Sequence, residues 1–421
     1  MPIRKGFAER LYPILSDVVN EFKTPFHIYD EAGIVSNGGR LKRAFHFFPG
    51  FKEYFAVKAC PNPAILKIML NLGFGFDCSS IPELMMCRSV GAKGEQIMFT
   101  SNNTSVEEFE AAAVDGGCIL NLDDITLIEK VPVFPELICF RYNPGSERTG
   151  NSIIGNPDEA KYGVRDDQII EAYRLAIAKG ATRFGMHTMI CSNELGFDYV
   201  AETVKMILKV VARVSAELDI TFEFVNIGGG IGIPYIPGQD PFNITALAGA
   251  SKEIFQLFEE ESSYMPKLFM ECGRFITGPS GVLVTSVINR MSKYREYVGV
   301  DACMSSLMRP AIYDAYHHVS VLGGEERETE IVDVVGSLCE NNDKFAVQRK
   351  LPKTKEGDIV IIQDTGAHGH AMGFNYNGRL RPKELLLRAD GVVELIRRAE
   401  TMEDYFRTFV FAKKELSFKE E

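Results

Sequence analysis

Lys58 closes the apolar run Tyr54-Phe55-Ala56-Val57-Lys58-Ala59, and Asp77, Asn143, His187, Gly228 and Glu271 stand at or just past the ends of later runs of the same kind. An amine surrounded by an imidazole, a carboxylate and a glycine turn is suited to an aldehyde cofactor, because the amine can condense with the carbonyl while the other groups hold what is bound. Each residue alone has a plainer explanation. A single lysine is ordinarily solvated, and a single histidine is ordinarily a core imidazole. Their joint placement at strand ends weighs against both.

Gly228-Gly229-Gly230 follows Phe222-Glu223-Phe224-Val225-Asn226-Ile227. Such a turn either makes a tight bend or offers consecutive backbone N–H groups to a phosphate. It lacks the G-x-G-x-x-G spacing and the P-loop lysine, so a phosphorylated cofactor is expected before a nucleotide. Glu271-Cys272-Gly273-Arg274, after Lys267-Leu268-Phe269-Met270, puts a carboxylate beside a cation. It serves either the site or a local ion pair.

The elements that must position these residues show in the pattern. Short runs rich in β-branched and aromatic residues begin near Tyr54, Phe74, Gln96, Cys118, Leu137, Arg183, Phe222 and Lys267. Helical periodicity covers Pro63 to Leu72, Ser105 to Asp115, Asp166 to Lys179, Phe197 to Leu218 and Ala246 to Glu260. Strands alternating with helices imply parallel pairing, and eight units predict an α/β fold, a closed (β/α)8 TIM barrel with its site at the C-terminal strand ends. An open doubly wound sheet is the runner-up. After Gly278 the pattern changes to strands without regular helices, at Val282 to Met291, Glu330 to Val335 and Asp358 to Gln363, which predicts a C-terminal, mainly β domain. Phe26 to Asp30 is a further strand that either joins that domain or leads into the barrel. The expected division is 1–31 with the β domain, 32–280 as the barrel and 281–421 as the β domain, ending in the solvated tail Lys419-Glu420-Glu421.

Composition narrows the partners. With 421 residues, 46% of them hydrophobic, a large core is possible, and a net charge of -11 argues against nucleic acid or an anionic membrane surface. Small molecules are expected instead. Nine cysteines without a C-x-x-C pair fit reduced thiols, not a disulfide framework or a zinc site, so no metal is expected. No apolar run has the length of a signal or a membrane span, and the protein is read as cytoplasmic.

The runs Tyr54 to Ala59, Gly228 to Gly230, Glu271 to Arg274 and Cys339-Glu340-Asn341-Asn342-Asp343 resemble, in order and spacing, the fold type III pyridoxal-phosphate decarboxylases. Nearly the whole chain is covered. Within that family the resemblance is nearest to the diaminopimelate decarboxylases, through Arg141-Tyr142-Asn143-Pro144-Gly145, Leu307 to His317 and Asn375 to Pro382.

The resemblance implies an alanine racemase-like fold with pyridoxal phosphate held by Lys58 as a Schiff base. His187 would stack on the pyridine ring, and Glu271 would accept from the ring nitrogen, deepening the electron sink that decarboxylation needs. Alanine racemases place an arginine there. Gly228, Gly229, Gly230 and Arg274 would bind the phosphate, with Asp77, Gly273, His368 and Tyr376 as further cofactor contacts. Cys339 would reach a neighbouring subunit's site as an acid, making a homodimer with shared active sites the active unit; read without the family it is a small buried hydrophobe.

Arg309 and Tyr313, four apart, suit a distal substrate carboxylate, and Glu340 a distal ammonium, with Arg274, Asp343 and His368 completing the substrate contacts. Arg309 in a surface or interface ion pair is the plainer reading. A substrate with both distal groups is a diaminodicarboxylate, such as meso-2,6-diaminopimelate, which gives L-lysine and CO2. D-ornithine or D-lysine is the alternative, and a non-catalytic regulatory relative is a remote one, since Lys58 and Cys339 both stand. Two positions depart from the family pattern. His187-Thr188-Met189-Ile190-Cys191-Ser192 lacks the Gly-Ser pair, so Thr188 or Ser192 would meet the phosphate, and Gly366-Ala367-His368 replaces Gly-Ala-Tyr.

Overall fold

The computed structural model describes residues 4–150 and 153–410. The tail Lys419-Glu420-Glu421 lies outside the described residues. After an N-terminal strand β1 (Phe26–Asp30) come β2 (Lys52–Ala56), β3 (Gly75–Cys78), β4 (Ile97–Ser101), β5 (Ile119–Leu122), β6 (Leu137–Asn143), a two-residue β7 (Val164–Arg165), β8 (Arg183–Thr188), β9 (Phe224–Asn226) and β10 (Lys267–Met270). From β2 to β10 every pairing is parallel. The β5–β6 and β2–β10 pairs close the ring, which removes the open-sheet alternative. All eight expected barrel strands are present.

Helices cover the outside as expected, and their starts are set locally. Asn62 caps Pro63–Asn71 by accepting from the Ala64 N–H, with Pro63 in the first turn. Ser105 and Glu108 form a reciprocal capping box on Val106–Ala113. The longest helix, Phe197–Leu218, turns nine side chains into the core, which is why its period was legible. Ile81–Ser89, not expected from sequence, buries only Leu84 and Cys87 and so carries little pattern. Between β5 and β6 the crossover is a 3-10 turn, Ile125–Lys130.

The second sheet holds β11 (Gly281–Ser292), β12 (Glu296–Val300), β13 (Val319–Val321), β14 (Thr329–Val335), β15 (Lys344–Pro352), β16 (Ile359–Ile362), β17 (Lys383–Leu387) and β18 (Val393–Arg397). Strand β1 belongs to it, antiparallel to β11 and parallel to β17. Helices Lys5–Leu11 and Leu15–Phe22 pack Phe7, Leu11, Leu15 and Val18 over Phe26, Ile28, Val282 and Leu385 of that sheet.

Two glycines let the sheet reach the barrel mouth. A Cβ at Gly366 would lie 2.0 Å from the Thr277 carbonyl oxygen, and one at Gly281 would lie 2.5 Å from the Gly366 Cα. This close approach carries the segment after β16 to the end of β2, where the His368 N–H donates to the Ala59 carbonyl at 2.8 Å.

Candidate active site

Alternate residues of the barrel strands point inward and form layers. The lower layer is apolar, with Tyr54, Met98, Ile119, Leu137, Cys139, Phe224 and Phe269 in one buried cluster. Further on, toward the C-terminal ends, the barrel strands present Asp77, Thr100, Asn121, Arg141, His187 and Asn226, with Glu271 just past the end of β10. The chemistry therefore rests on a solid plug.

Above that layer opens a cavity of about 540 Å³, lined among others by Lys58, Glu83, Asn102, Arg141, Met189, Ser192, Arg274, Arg309, Tyr313 and His368. Lys58 sits in a single 3-10 turn, Val57–Ala59, at the end of β2. Its side chain is 53% exposed and its Nζ lies 3.9 Å from Asp77 Oδ2. Asp77 also accepts from Thr100 Oγ1 at 2.9 Å. Burial, reinforced by the Glu271 charge, raises the Asp77 carboxyl well above the ordinary range against the pull of Lys58.

Glu271 behaves in the opposite way. It accepts from Asn226 Nδ2 at 2.8 Å, and its Oε1 lies 3.4 Å from His187 Nε2. Burial pushes its carboxyl up, but His187, Lys58 and Asn226 outweigh burial and hold it below the usual value. Two neighbouring acids thus differ in proton affinity, with Glu271 the ionised one. The alternative of a local Glu271–Arg274 ion pair fails: Arg274 donates to Tyr235 Oη at 2.7 Å and to Ser192 Oγ at 3.3 Å.

His187 is buried, and apart from the 3.4 Å approach of Nε2 to Glu271 its ring nitrogens make no hydrogen bond among the described residues, so it is not a satisfied core imidazole. The glycine turn is packed to its limit. Cβ atoms at Gly228, Gly229 and Gly230 would fall 2.5, 2.2 and 2.5 Å from the Thr188, Glu271 and Cys191 carbonyl oxygens. Gly228 and Gly230 also adopt positive φ, of 69° and 85°.

The row of free N–H groups expected there is only partly present. The Gly228 N–H donates to Asn226 Oδ1 at 2.9 Å, and the Gly229 N–H meets the Met189 Sδ at 3.2 Å. Thr188 is excluded as a phosphate contact, since it is buried and its Oγ1 donates to the Tyr142 carbonyl at 3.0 Å. Ser192 lies on the cavity wall beside Arg274. Asn143 serves its own loop, donating to the Pro157 and Tyr162 carbonyls at 2.9 and 3.0 Å.

The opposite wall comes from the β sheet. Arg309 is 2% exposed, its guanidinium lies 4.7 Å from the Tyr235 ring centre, and one amino group lies 2.8 Å from His317 Nε2. His317 Nδ1 lies 2.8 Å from the Gln363 carbonyl, so Nδ1 carries the proton and Nε2 accepts from Arg309. Burial, and then the Arg309 charge, push the His317 imidazole down to about 3 and keep it neutral. Arg309 is buried, so it is not a surface ion pair, and it makes no direct ion pair among the described residues, although its charge acts on the buried Asp364 carboxyl. His368 takes a left-handed φ of 56°, and burial with Arg274, Arg309 and Lys58 nearby holds it well below the ordinary imidazole value.

Cys339, Glu340, Asp343 and Tyr376 do not line this cavity. Cys339 is exposed, not a buried hydrophobe, and its N–H donates to Asn377 Oδ1 at 2.8 Å. Asp343 is buried, and its two carboxylate oxygens accept from the Met304 and Leu338 N–H groups at 2.6 and 2.8 Å, fixing the Cys339 turn.

Sequence reasoning gave no role to Arg141, whose guanidinium lies 3.9 Å from the Tyr162 ring centre and 3.5 Å from Asp123 Oδ1. Alternation from Cys139 through Arg141 on β6 was the signal for it. His317, Tyr235 and Met189 were missed as well. They act from loops, or through another residue, where no period points to them.

The arrangement fits a phosphorylated aldehyde cofactor, with an accessible amine, a buried imidazole that makes no hydrogen bond among the described residues beyond its approach to the acid beside it, that acid ionised, and a cationic Arg274 beside a turn that admits no side chain. Comparison with known proteins agrees. Residues 36–278 match the family model of the pyridoxal-dependent decarboxylase pyridoxal-binding domain. Protein TabA of Pseudomonas amygdali pv. tabaci is 48% identical over 96% of both chains. The diaminopimelate decarboxylase of Methanothermobacter thermautotrophicus is 34% identical, covering 93% of this chain and 92% of its own. Among solved structures, the M. jannaschii diaminopimelate decarboxylase in co-complex with L-lysine superposes with a TM-score of 0.86 at 29% identity, over 94% of each chain.

The chain belongs to the pyridoxal-dependent decarboxylases of fold type III. Its cofactor is pyridoxal phosphate, and its closed barrel with an added β sheet is the alanine racemase-like fold.

Proposed function

We propose that the chain decarboxylates an amino acid bearing a second, distal carboxylate, with meso-2,6-diaminopimelate to L-lysine and CO2 as the reference reaction. One observation carries this reading: a buried arginine on the cavity wall, Arg309, is oriented by a neutral imidazole and an aromatic face and makes no direct ion pair with a carboxylate among the described residues. The nearby Asp364 carboxyl, raised to about 7 by burial, offsets that charge only in part, and a buried guanidinium without a direct ion pair calls for an anion from the ligand. Tyr313, on the same wall, adds a phenol, and a plain diamine tail would be repelled there.

Bound pyridoxal phosphate supplies an aldehyde that takes the substrate amine and a ring that accepts the electron pair released with CO2. Lys58 would hold the cofactor through its amine. Glu271, kept ionised by its neighbours, would hold a proton at the ring nitrogen. His187 would pack against the ring. Arg274, Ser192 and the Gly228 to Gly230 turn hold the phosphate, and Asp77, Gly273 and His368 border the cofactor.

Cys339 and Glu340 lie outside their own chain's cavity and are assigned to that of a second subunit in a homodimer, as is Tyr376. There Cys339 delivers a proton to the substrate carbon, and Glu340 meets the distal ammonium. Of the described residues, those within 32–280 form the cofactor-binding barrel, while 4–31 and 281–410 make up the β domain. The enzyme acts in the cytoplasm, which suits its unpaired thiols.

A second reading, decarboxylation of a related diamino acid such as D-lysine or D-ornithine, is favoured by His368 in place of a tyrosine and by Met189 at the glycine turn. CO2 release over meso-diaminopimelate, D- and L-lysine, and D- and L-ornithine separates the two. The first predicts preference for meso-diaminopimelate, and preference for a monocarboxylate would overturn it.

A further inference from the structure

A second cavity, of about 220 Å³, lies apart from the substrate chamber between the helix Glu31–Ala44, the loop that follows the glycine turn and the short helix Gly273–Thr277. Its walls are apolar: Ile233, Pro234, Pro241, Phe242, Phe275 and Pro279. Its polar groups are Arg4, Asn37, Arg40 and Asp364.

Two of these satisfy each other. Arg4 donates to Asn37 Oδ1 and, at 3.4 Å, to the Gly33 carbonyl, while Asn37 Nδ2 donates to the Ile276 carbonyl at 3.0 Å. The other two are left over. Asp364 is 2% exposed, and its buried Oδ2 has no hydrogen-bond partner among the described residues. Burial raises its carboxyl to about 7, against the pull of Arg309 and Arg4. Arg40 rests its guanidinium 5.5 Å from the Phe275 ring centre and has no carboxylate partner among the described residues.

A buried acceptor without a donor costs about 1–3 kcal/mol, so its persistence beside a cavity calls for a ligand donor. The volume falls below the ~300–1,000 Å³ of sites for drug-sized ligands, which limits an occupant to about the size of a single amino acid.

We propose that this cavity is a binding site for a free α-amino acid with an apolar side chain, its ammonium on Asp364, its carboxylate on Arg40 and its side chain against Phe242, Phe275 and the prolines. An acceptor oxygen of Asp364 without a hydrogen-bond donor and a guanidinium of Arg40 without a carboxylate partner among the described residues together select a zwitterion over a simple acid or amine. The assignment does not depend on which substrate the main chamber takes.

Calorimetric titration of the holoenzyme with L-valine, L-leucine and L-methionine tests it, with 4-methylpentanoate and 3-methylbutylamine as analogues of leucine that each lack one charge. At least one amino acid saturates a single site per chain, and each single-charge analogue binds at least about tenfold more weakly than leucine, the factor a lost charged hydrogen bond produces. Arg40→Ala, a change at a half-exposed residue outside the catalytic machinery, weakens binding by a similar factor while cofactor absorption and turnover persist. Asp364→Asn, which keeps the side chain's shape, does the same to binding. Absence of saturation by all three amino acids, binding unchanged in Arg40→Ala, or displacement of the ligand by meso-diaminopimelate overturns the proposal.

Discussion

The two walls of the main chamber are built on different plans. On the barrel wall, Asp77, His187 and Glu271 project from regular parallel strands above an apolar plug, and Lys58 occupies the one-turn extension of β2. On the facing wall, Arg309, Tyr313 and His368 come from a five-residue helix and an irregular segment after β16, held by single contacts such as Arg309 to His317 and the His368 N–H to Ala59. On the proposed reading, the rigid wall carries the groups that handle the cofactor, and the irregular wall carries those that meet the far end of a substrate. Reaction type is thereby tied to the barrel, while substrate choice rests on segments that can change without disturbing it.

Breaking the barrel wall produces the largest effects. Lys58→Ala should reduce turnover to background and remove the visible absorption that borohydride bleaches in the cofactor-loaded protein; retention of either would detach Lys58 from the cofactor. Glu271→Gln keeps the size but not the charge. It should lower kcat by about 10²-fold or more with cofactor still bound, as read by steady-state CO2 release beside an absorption spectrum.

Effects on the facing wall are smaller and show partly as stability. His317 and His27 are both buried, with imidazoles pushed down to about 3. The unfolded chain binds protons at these sites near pH 6.5 and the folded chain does not, so this contribution is complete above that pH and is lost as the pH falls toward 3. Each residue contributes a slope of about 1.4 kcal/mol per pH unit within that window. Urea unfolding at pH 6.5, 5.5 and 4.5 should show a steeper decline for the native chain than for His317→Asn, and parallel declines would contradict a neutral buried His317.

Met189→Gly sharpens the picture of the glycine turn with the smallest change. A thioether is a weak acceptor, and freeing the Gly229 N–H for the phosphate should tighten cofactor binding by about 2–10-fold in a fluorescence titration of the apo-protein. Weaker binding would show that the thioether belongs to the cofactor site.

The same contrast decided what could be read from sequence. Barrel strands ending at Lys58, His187 and Glu271 were legible because alternation and strand-end position are local properties of the chain. The β12, β13, β15, β17 and β18 strands were not, since they lack clean alternation and are defined by partners far away in sequence, as in the β1–β17 pair. Resemblance found Arg309 but not its state: the partner His317 lies eight residues on, and its tautomer depends on the Gln363 carbonyl. Asp343 shows what a motif leaves out, since two backbone N–H groups from separate turns hold a carboxylate that the motif alone assigns to substrate.

The central claim, that a buried arginine without a direct ion pair among the described residues selects a distal carboxylate, is tested most directly by kcat/KM for CO2 release from meso-diaminopimelate and from D-lysine, in the native enzyme and in Arg309→Ala. The account predicts a loss on diaminopimelate that exceeds the loss on D-lysine by about 1.5–3 kcal/mol. Equal losses on both substrates would contradict it.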